Sequence, residues 1–179
     1  MQWKIDSAHS VASFAVKHMM ISTVRGSFEN LQGTLEWDPA NRGVASIQAT
    51  IDATTVNTGV RDRDAHLRSA DFFNVEQFPV LSFVSTGFTL KGDNNGVLVG
   101  DLTIAGVTKS VEIAVEFNGE GVNPWGEKRV GFVGETKINR EDFGLMWNQA
   151  LEAGGVLVSR EVKITLDVQA NLVTEAAPA

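Results

Sequence analysis

Val162-Lys163-Ile164-Thr165-Leu166-Asp167-Val168-Gln169-Ala170-Asn171-Leu172 alternates apolar and polar residues without a break. Extended backbone sends successive side chains to opposite faces, so this stretch reads as a strand with one dry face and one wet face. The same period returns at Val111, Ile113, Val115 and Phe117, set against Ser110, Glu112 and Glu116. It returns again at Ile47, Ala49 and Ile51, and at Leu35 and Trp37 between Thr34, Glu36 and Asp38. Many such strands with few helices to cover them must bury their dry faces against each other. Either two sheets stack as a sandwich, or one sheet curls into a barrel with an apolar interior.

Turn signals punctuate the strands. Asp38-Pro39-Ala40-Asn41-Arg42-Gly43 separates a strand ending near Trp37 from one beginning near Val44. Lys91-Gly92-Asp93-Asn94-Asn95-Gly96 breaks Ser82–Leu90 from Val97–Ile104, with Asn94, Asn95 and Gly96 suited to positive φ. Ala105–Lys109 leads into Ser110–Phe117, and a glycine-rich connection from Asn118 to Gly126 leads into Lys128–Ile138. The count is roughly eight strands in sequential hairpins, which suits an up-and-down antiparallel barrel. Two segments interrupt the alternation. Thr58 to Ala70 is charged and helix-like, with Asn57 or Thr58 placed to cap it. Asn139 to Gly155 holds Arg140-Glu141-Asp142-Phe143-Gly144 and Trp147.

The bulk properties narrow the function. The 179 residues suit one all-β domain, able to bury about 70% of its unfolded surface without covalent staples. The absence of cysteine excludes disulfides, thiolate metal sites and cysteine nucleophiles. A net charge of −7 argues against nucleic acid as a partner, because phosphate binding needs a basic surface. No apolar run reaches the ~20 residues of a membrane-spanning helix. The first residues enter a strand pattern directly, without the basic start and apolar run of a signal peptide. The expectation is a cytoplasmic protein if Met1 is the native start, and a periplasmic one if a leader has been removed.

The interruptions and the first strand carry a resemblance. Trp3-Lys4-Ile5-Asp6-Ser7-Ala8-His9-Ser10, followed by Phe14-Ala15-Val16-Lys17-His18 and Arg25-Gly26-Ser27-Phe28, is similar to the opening of the YceI-like proteins. Arg61-Asp62, His66-Leu67, Asp71-Phe72-Phe73, Phe78-Pro79, Phe83 and Ser85 resemble the central motif of that family. Leu102–Lys109 and Arg140–Gly144 complete the set, in order, from Trp3 to Leu172. The resemblance implies a single all-β, eight-stranded antiparallel lipocalin-like barrel over residues 1–173, followed by a frayed tail at 174–179. A short helix lies near 59–70 and a helical or loop insertion near 140–155. Members are bacterial proteins described as polyisoprenoid binders, often periplasmic, so the implied partner is a long-chain isoprenoid, quinone or other amphiphilic lipid. A homodimer is a further expectation from the family.

The alternation alone does not say whether the dry faces fill a core or line a tunnel. The rigid aromatic supply favours a slot, and the resemblance selects it. The expected ligand-binding residues are Phe14, Val16, His18, Phe28, Leu67, Phe72, Phe83, Leu102, Ile104, Phe132, Ile138, Phe143 and Trp147. A chain of about sixteen carbons, at ~0.8 kcal/mol per buried CH₂, gains ~13 kcal/mol gross. Association costs of ~4–15 kcal/mol bring the net affinity near micromolar.

His18 shares a strand face with Phe14 and Val16, where it can meet a polar head-group. Arg61 and Asp62 read either as an anion clamp or as anchors fixing the helix to the barrel, with Asp62 and His66 on one face at i, i+4. The expected reading is anchors, with the helix as a lid on one opening. Arg140 and Asp142 are expected to do similar ion-pair work near Phe143. The spacing of His9, His18 and His66 lacks a compact metal-binding pair, so no metal and no cofactor is implied. Asp6, His9 and Ser10 match a hydrolase triad in composition but lie too close in sequence for its geometry. The alternatives to a carrier are a solid-core β protein acting through protein contacts and a cryptic hydrolase.

Overall fold

The computed structural model describes residues 1–152 and 154–174. Ten strand segments run β1 (Gln2–Ile5), β2 (Val11–His18), β3 (Ser22–Phe28), β4 (Gln32–Asp38) and β5 (Asn41–Asp52), then β6 (Val80–Leu90), β7 (Asn95–Ile104), β8 (Val107–Val122), β9 (Lys128–Asn139) and β10 (Val158–Leu172). The one α-helix among the described residues, α1, spans Arg61–Arg68. Every pairing between strands is antiparallel, and the order β1-β4-β5-β6-β7-β8-β9-β10 closes when β10 returns to β1. This ring is the eight-stranded barrel that the sequential hairpins suited and the family resemblance implied.

Ten segments make eight staves because two staves are broken. The first part of β10 pairs with β2 and its last residues pair with β1, so β1 and β2 form one bent stave. Likewise β3 lies beside β2, and β4 beside β1. The bend is a single 3₁₀ turn at Ser7–His9, where the Asp6 carboxylate accepts a hydrogen bond from Ala8 N–H. A bend removes ladder bonds, and Ser10 replaces them. Its Oγ donates to Gln169 O at 3.2 Å and accepts from Gln169 N at 3.0 Å. Gln169 O also accepts from Asp6 N–H at 2.8 Å, so the partner that Ser10 alone supplies is the one for Gln169 N–H.

Several expectations are corrected in detail. The strands after Pro39, at 80–90 and at 107–122 begin earlier or run further than the alternation shows, because hairpin pairing continues past the apolar residues. Positive φ falls at Ala105 (48°) and Gly106 (79°), not at Asn94–Gly96. The helix begins at Arg61, and the residue before it, Val60, makes no side-chain cap. Asp64 ties the helix to the chain before it, taking hydrogen bonds from Thr58 N (2.8 Å) and Thr58 Oγ1 (2.6 Å). Asn57 instead accepts from Gly59 N–H. The tail expected to fray lies outside the described residues beyond Thr174.

The interior is packed at one end and hollow towards the other. At the packed end Trp3, Leu35, Trp37, Val130 and Ala170 form a core, with Phe117 and Phe132 against it. Trp37 stands 5.0 Å from the Phe117 ring and 5.1 Å from the Phe132 ring, centre to centre, and Trp3 Nε1 donates to Trp37 O. A second core cluster gathers Phe28, Ala53, Val56, Leu81, Ile104, Ile138, Phe143 and Leu145. No helix among the described residues is long and apolar enough to cross a membrane.

Candidate ligand cavity

A cavity of about 350 Å³ occupies the barrel, within the size range of small-molecule sites. Its deep part is walled by Ile47, Ala49, Leu98, Leu166 and Val168, and Ile47 also packs against the aromatic plug that closes this end. Phe14, Val16, Phe28, Phe83, Leu102, Ile104 and Ile138 line it further along. At the opposite end stand His18, Arg63, His66, Leu67, Phe72, Arg140, Trp147 and Leu157.

The cavity stays open partly because two of its aromatic rings lie flat along the wall. Phe14 pairs directly across the ladder with Gly26, and Phe83 is paired beside Gly100's strand. A Cβ on Gly26 would fall 2.7 Å from Phe14 Cε1, and one on Gly100 would fall 2.7 Å from Phe83 Cε2. Each ring therefore covers a glycine. A side chain in that place would lift the ring into the lumen.

Helix α1 and the segment after Phe143 frame the mouth. His66 stands edge-on to Trp147, with ring centres 4.8 Å apart, and both touch Phe72. His66 Nε2 lies 2.9 Å from Asp71 Oδ2, so its carboxylate partner is Asp71 and not Asp62. The helix is anchored by Asp64, which is buried, and by Arg63, whose Nε donates to Thr58 Oγ1 and Nη2 to Thr58 O. The anchoring expected of Arg61 and Asp62 thus belongs to the next two residues, and Arg61 and Asp62 are exposed. An eight-residue helix turns two adjacent residues outward when the following two face the barrel.

Arg140 is also corrected. It is 3% exposed, and its four partners are all carbonyl oxygens: Ser159 from Nε, Leu145 and Trp147 from Nη1, and Val158 from Nη2. The neighbouring Glu141 pairs with Arg160 instead, at 3.3 Å. Burial draws the Arg140 guanidinium below its ordinary pKa, with Glu141 opposing and Arg160 adding to the effect. Its charge stays, since an arginine side chain does not deprotonate in proteins.

Two residues expected to line the tunnel do not. Phe132 belongs to the aromatic plug, and Phe143, 2% exposed, is buried in the core cluster behind the wall. Many lining residues were missed, the whole deep wall among them, and three at the mouth show why. Arg63 sits at i−4 to Leu67 and i−3 to His66, a helical spacing that identifies their shared face. Lys17 reaches the mouth at the end of β2 although its parity points outward, and Leu157 follows an irregular segment with no period to read.

Among the described residues the ionisable side chains of the lining are Lys17, His18, Arg63, His66 and Arg140, with no carboxylate. In a chain of net charge −7 this is a strong local bias. Among the described residues no group of three or more possible ligands could hold a metal ion. Asp6 and His9 do meet, Oδ2 to Nδ1 at 2.9 Å, but Ser10 Oγ is bonded to the Gln169 backbone and so does not complete a triad.

The comparisons agree with this architecture. The protein named UPF0312 protein SAS2572, from Staphylococcus aureus (strain MSSA476), is 38% identical over 168 residues, covering 93% of this chain and 95% of its own. The crystal structure of Burkholderia cenocepacia BcnA superposes with a TM-score of 0.80 at 25% identity, covering 92% of this chain and 98% of that one. A polyisoprenoid binding domain from Saccharophagus degradans shares the fold with a TM-score of 0.70 at 14% identity, covering 96% and 98%. The model of the YceI-like domain matches residues 3–170, nearly the whole barrel, and the chain belongs to that family.

Proposed function

We propose that the chain binds one long amphiphile, with its tail in the barrel and an anionic head among the basic residues of the mouth. The observation that carries this reading is the lining itself. It is mostly apolar from Ile47 and Val168 outward, and among the described residues each ionisable group in it is basic. An apolar tail gains ~0.8 kcal/mol for each CH₂ removed from water, so length alone gives affinity. A carboxylate or phosphate head gains at Arg63 and Arg140, where guanidinium groups near an apolar cavity act in a lower effective dielectric than water. Polyisoprenoids, for which the S. degradans domain is named, have this shape and are the cargo class to test first. The reading makes the protein a carrier and not a catalyst.

Native mass spectrometry of protein from its own host, followed by organic extraction, tests the proposal. A stoichiometric adduct that extracts as a long-chain anionic amphiphile is the expected result. A clean apo mass, with no uptake of added polyprenyl phosphate or fatty acid, overturns it. Ala49→Phe supplies the control, because Ala49 lines the deep part of the cavity and a ring there fills it. That variant should lose uptake while staying folded.

A further inference from the structure

The tip of the β2–β3 hairpin breaks two rules of folding at once. Met19 and Met20 occupy its two central positions with φ of 52° and 63°, and Ile21 N–H closes the turn on His18 O at 3.2 Å. A two-residue turn with positive φ throughout favours Asn-Gly, since side chains with a Cβ are strained there. The same three residues are also exposed apolar groups: Met19 is 41% exposed, Met20 66% and Ile21 81%. Neither backbone geometry nor solubility accounts for Met-Met-Ile at this point. Strain of this kind persists where a function holds it.

The position supplies that function. Met19 N–H donates to Leu157 O, and Met20 Sδ lies against Gly155. Lys17, His18, Leu157 and Val158 line the cavity, so the tip stands on the rim of the mouth. Met146, 60% exposed, precedes the mouth residue Trp147. The charge of the hairpin is distinctive as well. From Ser7 to Phe28 there is no carboxylate, while Lys17 stands one ladder pair below the closing His18–Ser22 pair and Arg25 three pairs below it, in a chain whose net charge is −7. The facing turn at 151–155 carries one carboxylate, Glu152.

We infer that the Met19–Ile21 tip is a docking element for the surface of an anionic lipid bilayer, holding the mouth against the membrane. Apolar side chains on a basic platform are what inserts at the boundary of head-groups and acyl chains. Methionine suits such a contact because its unbranched, polarisable side chain adapts to a disordered partner. This inference rests on the carrier reading for its purpose, since a cargo that dwells in bilayers must pass from one to the mouth. Its test does not rest on that reading.

Vesicles of phosphatidylcholine and phosphatidylglycerol in equal parts, free of cargo, are floated with the intact protein. The protein should float with them, and added salt should weaken the association because exposed charges are screened. The double variant Met19→Asn, Met20→Gly should partition about tenfold less or worse, since two apolar anchors are lost. The same variant should melt about 2–4 °C higher or more, because the turn is relieved of strain. Loss of flotation with gain of stability cannot come from misfolding. Equal flotation of variant and wild type overturns the inference, as does wild type that stays below the vesicles. Self-association in lipid-free buffer that the variant abolishes, without flotation, assigns the tip to a second copy of the chain and overturns it too.

Cargo delivered from ethanol separates the two proposals. Uptake from ethanol without flotation removes the docking element alone. Flotation without uptake removes the carrier reading and leaves the docking surface.

Discussion

The ring of Phe14 lies over Gly26, so close that a Cβ on Gly26 would stand 2.7 Å from Phe14 Cε1 and 2.9 Å from Thr58 Cγ2. The glycine is what lets a large aromatic side chain line the barrel without filling it. Gly26→Ala should tilt the ring into the lumen and displace one or two methylenes of any tail, lowering affinity about tenfold at ~0.8 kcal/mol per CH₂. The check is a titration with an environment-sensitive fatty-acid probe. In a Phe14→Leu background, where the ring is gone, Gly26→Ala should cost little, and a full effect there would refute the mechanism.

Trp147 joins α1 to the segment after Phe143 through an edge-on contact with His66 and a tilted one with Phe72. Such aromatic pairs contribute ~0.5–1.5 kcal/mol each beyond simple burial. Trp147→Ala should therefore open the mouth and raise the rate of ligand release about tenfold. Stopped-flow displacement measures this directly. An unchanged release rate would mean that cargo leaves by another route.

The strands were legible in the sequence because their cause is local, while their closure into a barrel rested on the hairpin count and the family resemblance. Alternation along Val162–Leu172 or Val111–Phe117 is imposed by one dry and one wet face, whatever the partners. The division of the interior into plug and cavity was not legible, for the same reason. Phe132 and Ile138 share parity on β9, yet one packs on Trp37 while the other lines the cavity. Only position along the barrel axis separates them, and period-two reading carries no such coordinate. Arg140 was misread because its neighbours in sequence are acidic, while its partners are carbonyls brought from Leu145, Trp147, Val158 and Ser159 by the chain's return. The broken stave was hidden too, since Ser7–His9 looks like a continuation of the strand.

The plug and the cavity can be separated by mutation. Phe132 contacts Trp37 and Phe117 and is absent from the cavity wall. Phe132→Ala should cost about 3–5 kcal/mol of stability, the usual range for removing a core aromatic. Its effect on ligand affinity should be small beside this. Denaturant unfolding and ligand titration of the same sample decide the matter, and a large affinity loss in protein that remains folded would place Phe132 at the ligand.

Arg140 ties the 145–147 stretch to the start of β10 through carbonyl groups that have few alternatives once buried. Lysine keeps the charge, but its single ammonium cannot reproduce the planar fork. Arg140→Lys should destabilise the fold by about 2–4 kcal/mol, as buried acceptors left unsatisfied cost ~1–3 kcal/mol each. Hydrogen exchange should rise first in 145–158. A variant as stable as the wild type would show that these four bonds contribute little.

Asp6 sits where β1 bends into β2, with Oδ2 2.9 Å from His9 Nδ1 and 2.8 Å from Arg129 Nη1. Burial pushes its carboxyl upward, but the hydrogen bonds from His9 and Ala8 N–H, the His9 charge and the Arg129 contact outweigh it, and the pKa lies below the ordinary value. A carboxylate whose pKa is lower in the folded chain contributes stability above the unfolded pKa, near ~3.9. That contribution disappears as pH falls through the folded value. Acid titration of the unfolding free energy should therefore show a loss beginning near the unfolded pKa and continuing below it. Asp6→Asn keeps an acceptor for Ala8 N–H but removes the charge facing Arg129, so it should flatten this acid limb and lower stability at neutral pH by about 1–3 kcal/mol. If the limb keeps its slope in the variant, the acid sensitivity belongs to other carboxylates, and the bend is held by the Ser10–Gln169 bonds without help from Asp6.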